Sequence, residues 1–315
     1  MWRKTMTTIT AAMAVWLMGI GLAEAHDLFG LFGVRWPPKW QTAVKVDAVS
    51  VPGVADGCPH ESADGLSLFI ASARGGEPND IWVSDRDSIG APWQEPRRLE
   101  APINLPGIAD FCPTPIRGRS LMFVSARSAP GACGTGSTGD IFVSRQSPAG
   151  GWSEPVHLDC APLGPNTAGA EFSPSLVETA YGTFLFYSSN GTTGNQDIHV
   201  SVMRKDGTFG PGKVIESLSS PSEDLMPNVR ERELGGYEMV FSSNRPGGQA
   251  GPTGTVAQDV YISFAWFLPG PWSAPINVGT AVNTAGNEQR ATLSQDGERL
   301  YFGRDGDIFV SERAR

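Results

Sequence analysis

Apolar and polar positions recur along this chain in one fixed order, five times over. In each repeat an apolar run ends in small or polar residues: LFIASAR closing at Arg74, LMFVSAR at Arg127, LFYSSN at Asn190, VFSSNR at Arg245 and LYFGR at Arg304. A turn later comes an aspartate followed by alternating large and small residues: DIWVS from Asp80, DIFVS from Asp140, DIHVS from Asp197, DVYIS from Asp259 and DIFVS from Asp307. Both segments have the short length, β-branched content and alternation of buried strands. Two further elements flank them. An acid stands three residues before a proline in Asp56 to Pro59, Asp110 to Pro113, Glu171 to Pro174 and Asp224 to Pro227, and Glu288 holds the same place without the proline. An aromatic with a following proline comes last, as Trp93 with Pro96, Trp152 with Pro155, Phe209 with Pro211 and Trp272 with Pro275. Each repeat therefore predicts four strands.

Between 48 and 62 residues separate successive strand-opening aspartates, a period too long for helical solenoid units and suited to a four-stranded propeller blade. The fifth repeat ends at Arg315 without a fourth strand, while Trp40 to Val46 near the start looks like the Trp152 to Leu158 strand. Pairing the early segment into the last repeat removes two rows of unpaired backbone groups that an open joint would expose. The expectation is all-β: a five-bladed β-propeller over 40–315, its last blade closed by an N-terminal strand.

The first residues carry Arg3 and Lys4, an apolar stretch from Ile9 to Leu22 and the small-x-small site Ala23-Glu24-Ala25. These are the parts of a secretory signal peptide over 1–25, which predicts an exported protein, periplasmic or secreted, beginning near His26, with a leader over 26–39 packed on the outside. No later segment is long and apolar enough to span a bilayer. Without the first 25 residues the chain keeps 22 Lys and Arg against 32 Asp and Glu. That balance argues against nucleic acid and anionic lipid, which select clustered positive charge. Thirty-eight glycines and 25 prolines agree with many turns and little helix.

Four cysteines in an exported chain predict up to two disulfides. Cys133 and Cys160 fall in loops expected on one face and are the favoured pair. Cys58 and Cys112 occupy equivalent places on neighbouring innermost strands, which leaves open a bridge across the channel, two buried thiols or a metal, with buried thiols preferred.

The repeats resemble the WD-like propeller repeats of the TolB type, through Glu171-Phe-Ser-Pro174, Phe241-Ser-Ser-Asn-Arg245, the DIWVS elements and the Trp-x-x-Pro turns. The fifth repeat departs at Arg290-Ala291 and the third at Asn190-Gly191. This resemblance implies the fold and leaves function to the site.

The opening aspartates Asp80, Asp140, Asp197, Asp259 and Asp307 read as turn residues that accept backbone N–H groups, and Trp40, Trp93, Trp152 and Trp272 as packing between blades. Asp56, Asp110, Glu171, Asp224 and Glu288 are expected to gather where the channel opens. Like charges so confined call for compensation. Arg74, Arg127, Arg245 and Arg304 can supply it within their own blades, and Arg290 can point into the channel. The third blade has Asn190 instead, so Glu171 alone lacks such an arginine.

The reading preferred on these residues is a non-enzymatic monomeric binding platform, engaging a protein or glycan through the channel-mouth face with the acid and arginine rings and the long loops Gly131 to Gly139 and Gly247 to Thr255. One alternative is a glycoside hydrolase. Five-bladed hydrolases, similar in blade count, place two aspartates and a glutamate on their first three inner strands, which implies Asp56 as base or nucleophile, Asp110 as orienting carboxylate and Glu171 as general acid. A channel plugged by arginine would remove that option. The other alternative is an enzyme whose ring holds a hard cation such as calcium through oxygen ligands. No HExxH or CxxC spacing, phosphate cradle or nucleophile elbow is present.

Overall fold

The computed structural model describes residues 36–128, 133, 139–251 and 256–314. The signal peptide and most of the leader therefore lie outside the described residues, as does much of both long mouth-face loops. The chain divides into a unit over Met1–Pro38 and a second over Lys39–Arg315, and it is the second that carries the fold.

That unit holds five four-stranded antiparallel sheets, the predicted blades. The innermost strands are Asp56–Glu61, Asp110–Ile116, Glu171–Thr179, Asp224–Glu231 and Glu288–Leu293. The apolar runs form the second strands and the aspartate-led runs the third, while the fourth strands are only two residues long. In the fifth blade the outer strand is Val44–Lys45, with Val44 opposite Val310 and Lys45 opposite Phe309. Trp40 bridges to Arg313 beyond it, so the N-terminal closure expected from the sequence is present. One short 3₁₀ turn, Arg74–Gly76, interrupts the strands, and no helix among the described residues is long and apolar enough to cross a membrane.

Blade joins blade by a repeated backbone bond. The N–H of each inner-strand acid donates to the carbonyl just before a neighbouring blade's third-strand aspartate: Asp110 to Asn79 at 2.7 Å, Glu171 to Gly139 at 3.0 Å, Asp224 to Gln196 at 2.8 Å, Glu288 to Gln258 at 2.7 Å and Asp56 to Gly306 at 2.8 Å. The apolar core lies between the sheets. Leu121 and Phe123 of the second blade pack toward Ile81 and Val83 of the first, while Met122, between them in sequence, packs toward Leu185 and Tyr187 of the third. Both faces of a second strand are thus buried, which is why these runs are continuously apolar. Each fully buried Leu or Phe contributes roughly 1.5–3 kcal/mol.

Every inner strand breaks register just after its acid, at Gly57/His60, Phe111/Thr114, Phe172/Ser175, Leu225/Asn228 and Gln289/Thr292. The third residue of each has a positive φ: Cys58 48°, Cys112 48°, Ser173 47°, Met226 60° and Arg290 57°. A bulge is where a strand tolerates proline, which cannot donate to the ladder. The acid-x-x-proline spacing is the sequence trace of this bulge.

Candidate functional site

The bulge decides what faces the axis. It turns the side chains of Cys58, Cys112, Ser173, Met226 and Arg290 toward the axial void and leaves the acids inside the blades. Asp56 is 3 % exposed, and Asp110, Glu171, Asp224 and Glu288 are each 0 % exposed. The expected gathering of these acids at an open mouth, as a binding ring or as a cage for calcium, is therefore corrected.

Their partners explain the burial. One oxygen of each acid accepts a backbone N–H from the loop that enters its blade: Val51 to Asp56, Leu105 to Asp110, Thr167 to Glu171, Ser220 to Asp224 and Thr284 to Glu288. In four blades the other oxygen meets an arginine that ends the second strand, in the fifth blade, or stands two residues past it, in the first, second and fourth. Arg74 reaches Asp56 at 2.7 Å, Arg127 reaches Asp110 at 2.7 Å, Arg304 reaches Glu288 at 2.6 Å, and Arg245 pairs with Asp224. Each arginine also donates to a carbonyl of the same loop, that of Val49, Ile103, Leu218 or Val282. The pair clamps loop to strand, and the compensation expected in these four blades is observed.

The third blade is the exception, as its sequence predicts. The Glu171 carboxylate accepts Thr167 Oγ1 at 2.6 Å and Ser189 Oγ at 2.6 Å, with no arginine. Burial pushes its pKa up to about 7 against the pull of those hydrogen bonds, with the Asp140 charge adding to the rise. Burial also raises Asp110 and Glu288, whose arginines and other partners work the opposite way. Tyr187 and His199 stack with ring centroids 5.6 Å apart in this blade, where the second blade has Arg127 lying 5.2 Å over the Phe123 ring. Asn190 accepts Ala170 N–H at 2.8 Å, as Asn244 accepts Glu223 N–H in the fourth blade, and it is Gly191 that stands where the other blades have Arg74, Arg127 and Arg245, which corrects the expectation that put Asn190 there.

The third-strand aspartates are structural, and turn amides reach two of them as expected, Gln249 N–H to Asp259 at 2.8 Å and Cys133 N–H to Asp140 at 3.4 Å. A partner that the sequence did not suggest comes from the outer strand: Arg98 with Asp80 at 2.6 Å, His157 with Asp140 at 2.8 Å, Asn277 with Asp259 at 2.7 Å and Lys45 with Asp307 at 2.8 Å. In the third blade the position opposite His199 is Val214, and Asp197 takes Thr193 Oγ1 instead. Sequence reasoning missed Asn104, Asn166 and Asn283, whose side chains cap the residue after that aspartate by accepting its N–H and donating to its C=O. The shared Asn-Thr-Ala-Gly of 166–169 and 283–286 is the signal that could have found two of them.

On the axis the Cys58 and Cys112 thiols are in hydrogen-bonding contact, both feeling the Arg290 charge. Ser173 Oγ donates to Cys112 Sγ at 3.4 Å. Burial raises the Cys58 thiol, whereas hydrogen bonds and Arg290 bring Cys112 down to about 6 against its own burial. These are free thiols, while Cys133 and Cys160 form the expected disulfide. The axial void holds only about 20 Å³. On the opposite face, away from the ring acids, lie a cleft of about 130 Å³ that shares His60, Thr114 and Asn228 with the void and a second of about 510 Å³ lined by Asp64, Glu231, Arg232, Asp296 and Arg299.

No family model matches the chain, and no curated protein sequence matches it. Solved structures do. A thermostable family-43 glycoside hydrolase superposes with a TM-score of 0.54 at 15 % identity, over 86 % of this chain and 92 % of its own. The endo-arabinase of Bacteroides thetaiotaomicron gives 0.56 at 14 %, over 85 % and 96 %. An α-L-arabinofuranosidase of Podospora anserina, solved with cellotriose, gives 0.54 at 12 %, over 88 % and 97 %. At such identities the likeness shows the fold, a five-bladed propeller. Two expectations are corrected by it. The neighbours are glycoside hydrolases rather than TolB-type repeat proteins, which overturns that resemblance and counts against the preferred reading as a non-enzymatic binding platform.

Proposed function

We propose that this chain cleaves glycosidic bonds in arabinose- or xylose-containing polysaccharides, with Glu171 as the proton donor. One observation carries the reading: among five equivalent buried acids, Glu171 alone has no arginine partner, and its pKa of about 7 keeps a proton available at neutral pH. A general acid for glycoside hydrolysis needs that state beside carboxylates held in a different one. Asp56 and Asp110, on the two preceding blades, sit in ion pairs at 2.7 Å. The fold is shared with hydrolases of arabinan and xylan type, which supports the substrate class.

Arg290 and the two thiols fill the axis, which removes a site inside the channel as the sequence criterion demands, so the proposal requires a sugar chain that lies across the mouth instead of threading it. The turn at Thr167 to Gly169 covers Glu171 through the Thr167 bonds and is braced by Asn190 on Ala170. Substrate has to part that turn before the carboxyl can reach a glycosidic oxygen.

The test is release of reducing sugar from arabinan, arabinoxylan and xylan across pH. Activity should fall as pH rises through about 7, and Glu171→Gln should lower it by a factor of roughly 10²–10⁴. No release from any of the three polymers, or a Glu171→Gln variant as active as the native chain, overturns the reading.

A further inference from the structure

Independently of the hydrolase reading, we propose that Cys58, Cys112 and Met226 form a binding site for one soft monovalent metal ion, copper(I) in chemical class, in the axial void. Three sulfur-bearing residues from three different blades line a space of about 20 Å³, and a cavity of some 10–15 Å³ already suffices for one water-sized particle. Thiolate and thioether together are the donor set that selects copper(I) over hard cations. The two cysteines are held at the axis by identical bulges, each with φ 48°, so their side chains converge by backbone geometry and do not depend on a mobile loop.

Charge selects among soft ions. Binding leaves two thiolates, and whatever thiol proton remains passes to solvent. With one monovalent cation and the Arg290 guanidinium, the buried assembly is neutral, which a desolvated site requires. A divalent ion such as zinc would leave one positive charge uncompensated. Arg290 is placed for this role: its Nε is buried with no hydrogen-bond partner, and its Nη1 lies 2.9 Å from where a Cβ on Gly57 would fall. Gly57 therefore leaves room for the guanidinium beside the thiols. Access runs from the opposite face, where the cleft of about 130 Å³ opens onto the void through His60, Thr114 and Asn228.

The experiment offers copper(I) as its coloured bis-bicinchoninate complex to the full folded chain under reductant and reads the loss of colour. The native protein should withdraw one copper per chain, and its melting temperature should rise with copper up to that ratio and no further. Cys58→Ser and Cys112→Ser should abolish withdrawal, Arg290→Gln should weaken it tenfold or more, and zinc(II) at the same concentration should leave the melting temperature unchanged. Should a variant fail to fold, the melting temperature of the native protein still decides. The proposal is overturned if the native chain takes no copper and shows no thermal shift, if the double serine variant withdraws as much as the native chain, or if thiol titration in denaturant finds Cys58 joined to Cys112 as a disulfide.

Discussion

Glu171→Gln should make the protein more stable at alkaline pH and leave it unchanged in acid. The side chain rises from the ordinary 4.5 to about 7, so the folded state prefers the protonated form by about 3 kcal/mol. Between those two values the native state keeps a proton that the unfolded chain has released. The stabilisation from a protonated Glu171 is thus complete below about pH 4.5 and lost as pH rises through about 7. Glutamine fits the same space. Its oxygen can accept the Thr167 N–H, and its amide can donate to the hydroxyls of Thr167 and Ser189, which rotate from donor to acceptor. It has no charge to desolvate. Urea unfolding of both proteins at several pH values between about 4.5 and about 8 reads the difference. The variant should gain up to about 3 kcal/mol over that span, with the steepest change between the two pKa values and a levelling off above about 7. A difference that stays constant to within about 0.5 kcal/mol across the range would refute the assignment of this buried acid.

Arg127→Gln strands Asp110, which is 0 % exposed, without its ion pair, and should cost about 3–5 kcal/mol of unfolding free energy in urea titrations near neutral pH. Cys160→Ser opens a cross-link between residues 27 apart in sequence and should lower stability by about 3–4 kcal/mol, read as a difference between oxidised native and variant chains that disappears when both are reduced. A chain that begins at Asp47 loses both pairs of the closing strand and the Trp40 bridge; it should expose the Asp307–Glu312 edge and associate on size-exclusion chromatography, whereas a monodisperse, equally stable product would show that closure is dispensable.

The architecture was legible because it is periodic. Five copies of one pattern, with the missing outer strand supplied by Trp40 to Val46, determine blade number and closure together. The arginine that clamps an acid, and its absence at Glu171, could also be read, since an arginine closes the apolar run in four repeats and not in the third. Direction could not. The alternation of a regular strand would carry the acid toward the axis, but the bulge after it adds a residue, so Cys58, Cys112 and Arg290 arrive there instead. The partners of the third-strand aspartates were hidden for a related reason: Arg98, His157, Asn277 and Lys45 share a register position and no residue type. The relation to glycoside hydrolases lies in backbone shape at 15 % identity or less among those compared, below what motif matching detects.

The inter-blade bond between an acid's amide and the preceding carbonyl joins the fifth blade to the first as it does every other pair, and Ala314 N–H meets Lys39 C=O at 2.8 Å. Start and finish are therefore neighbours, and the seam between them is one of five comparable junctions. A circularly permuted gene that links residue 314 to residue 39 through a short peptide and starts afresh in the loop before Asp110 or Asp224 should give the same ring, with its closing strand drawn from a different blade.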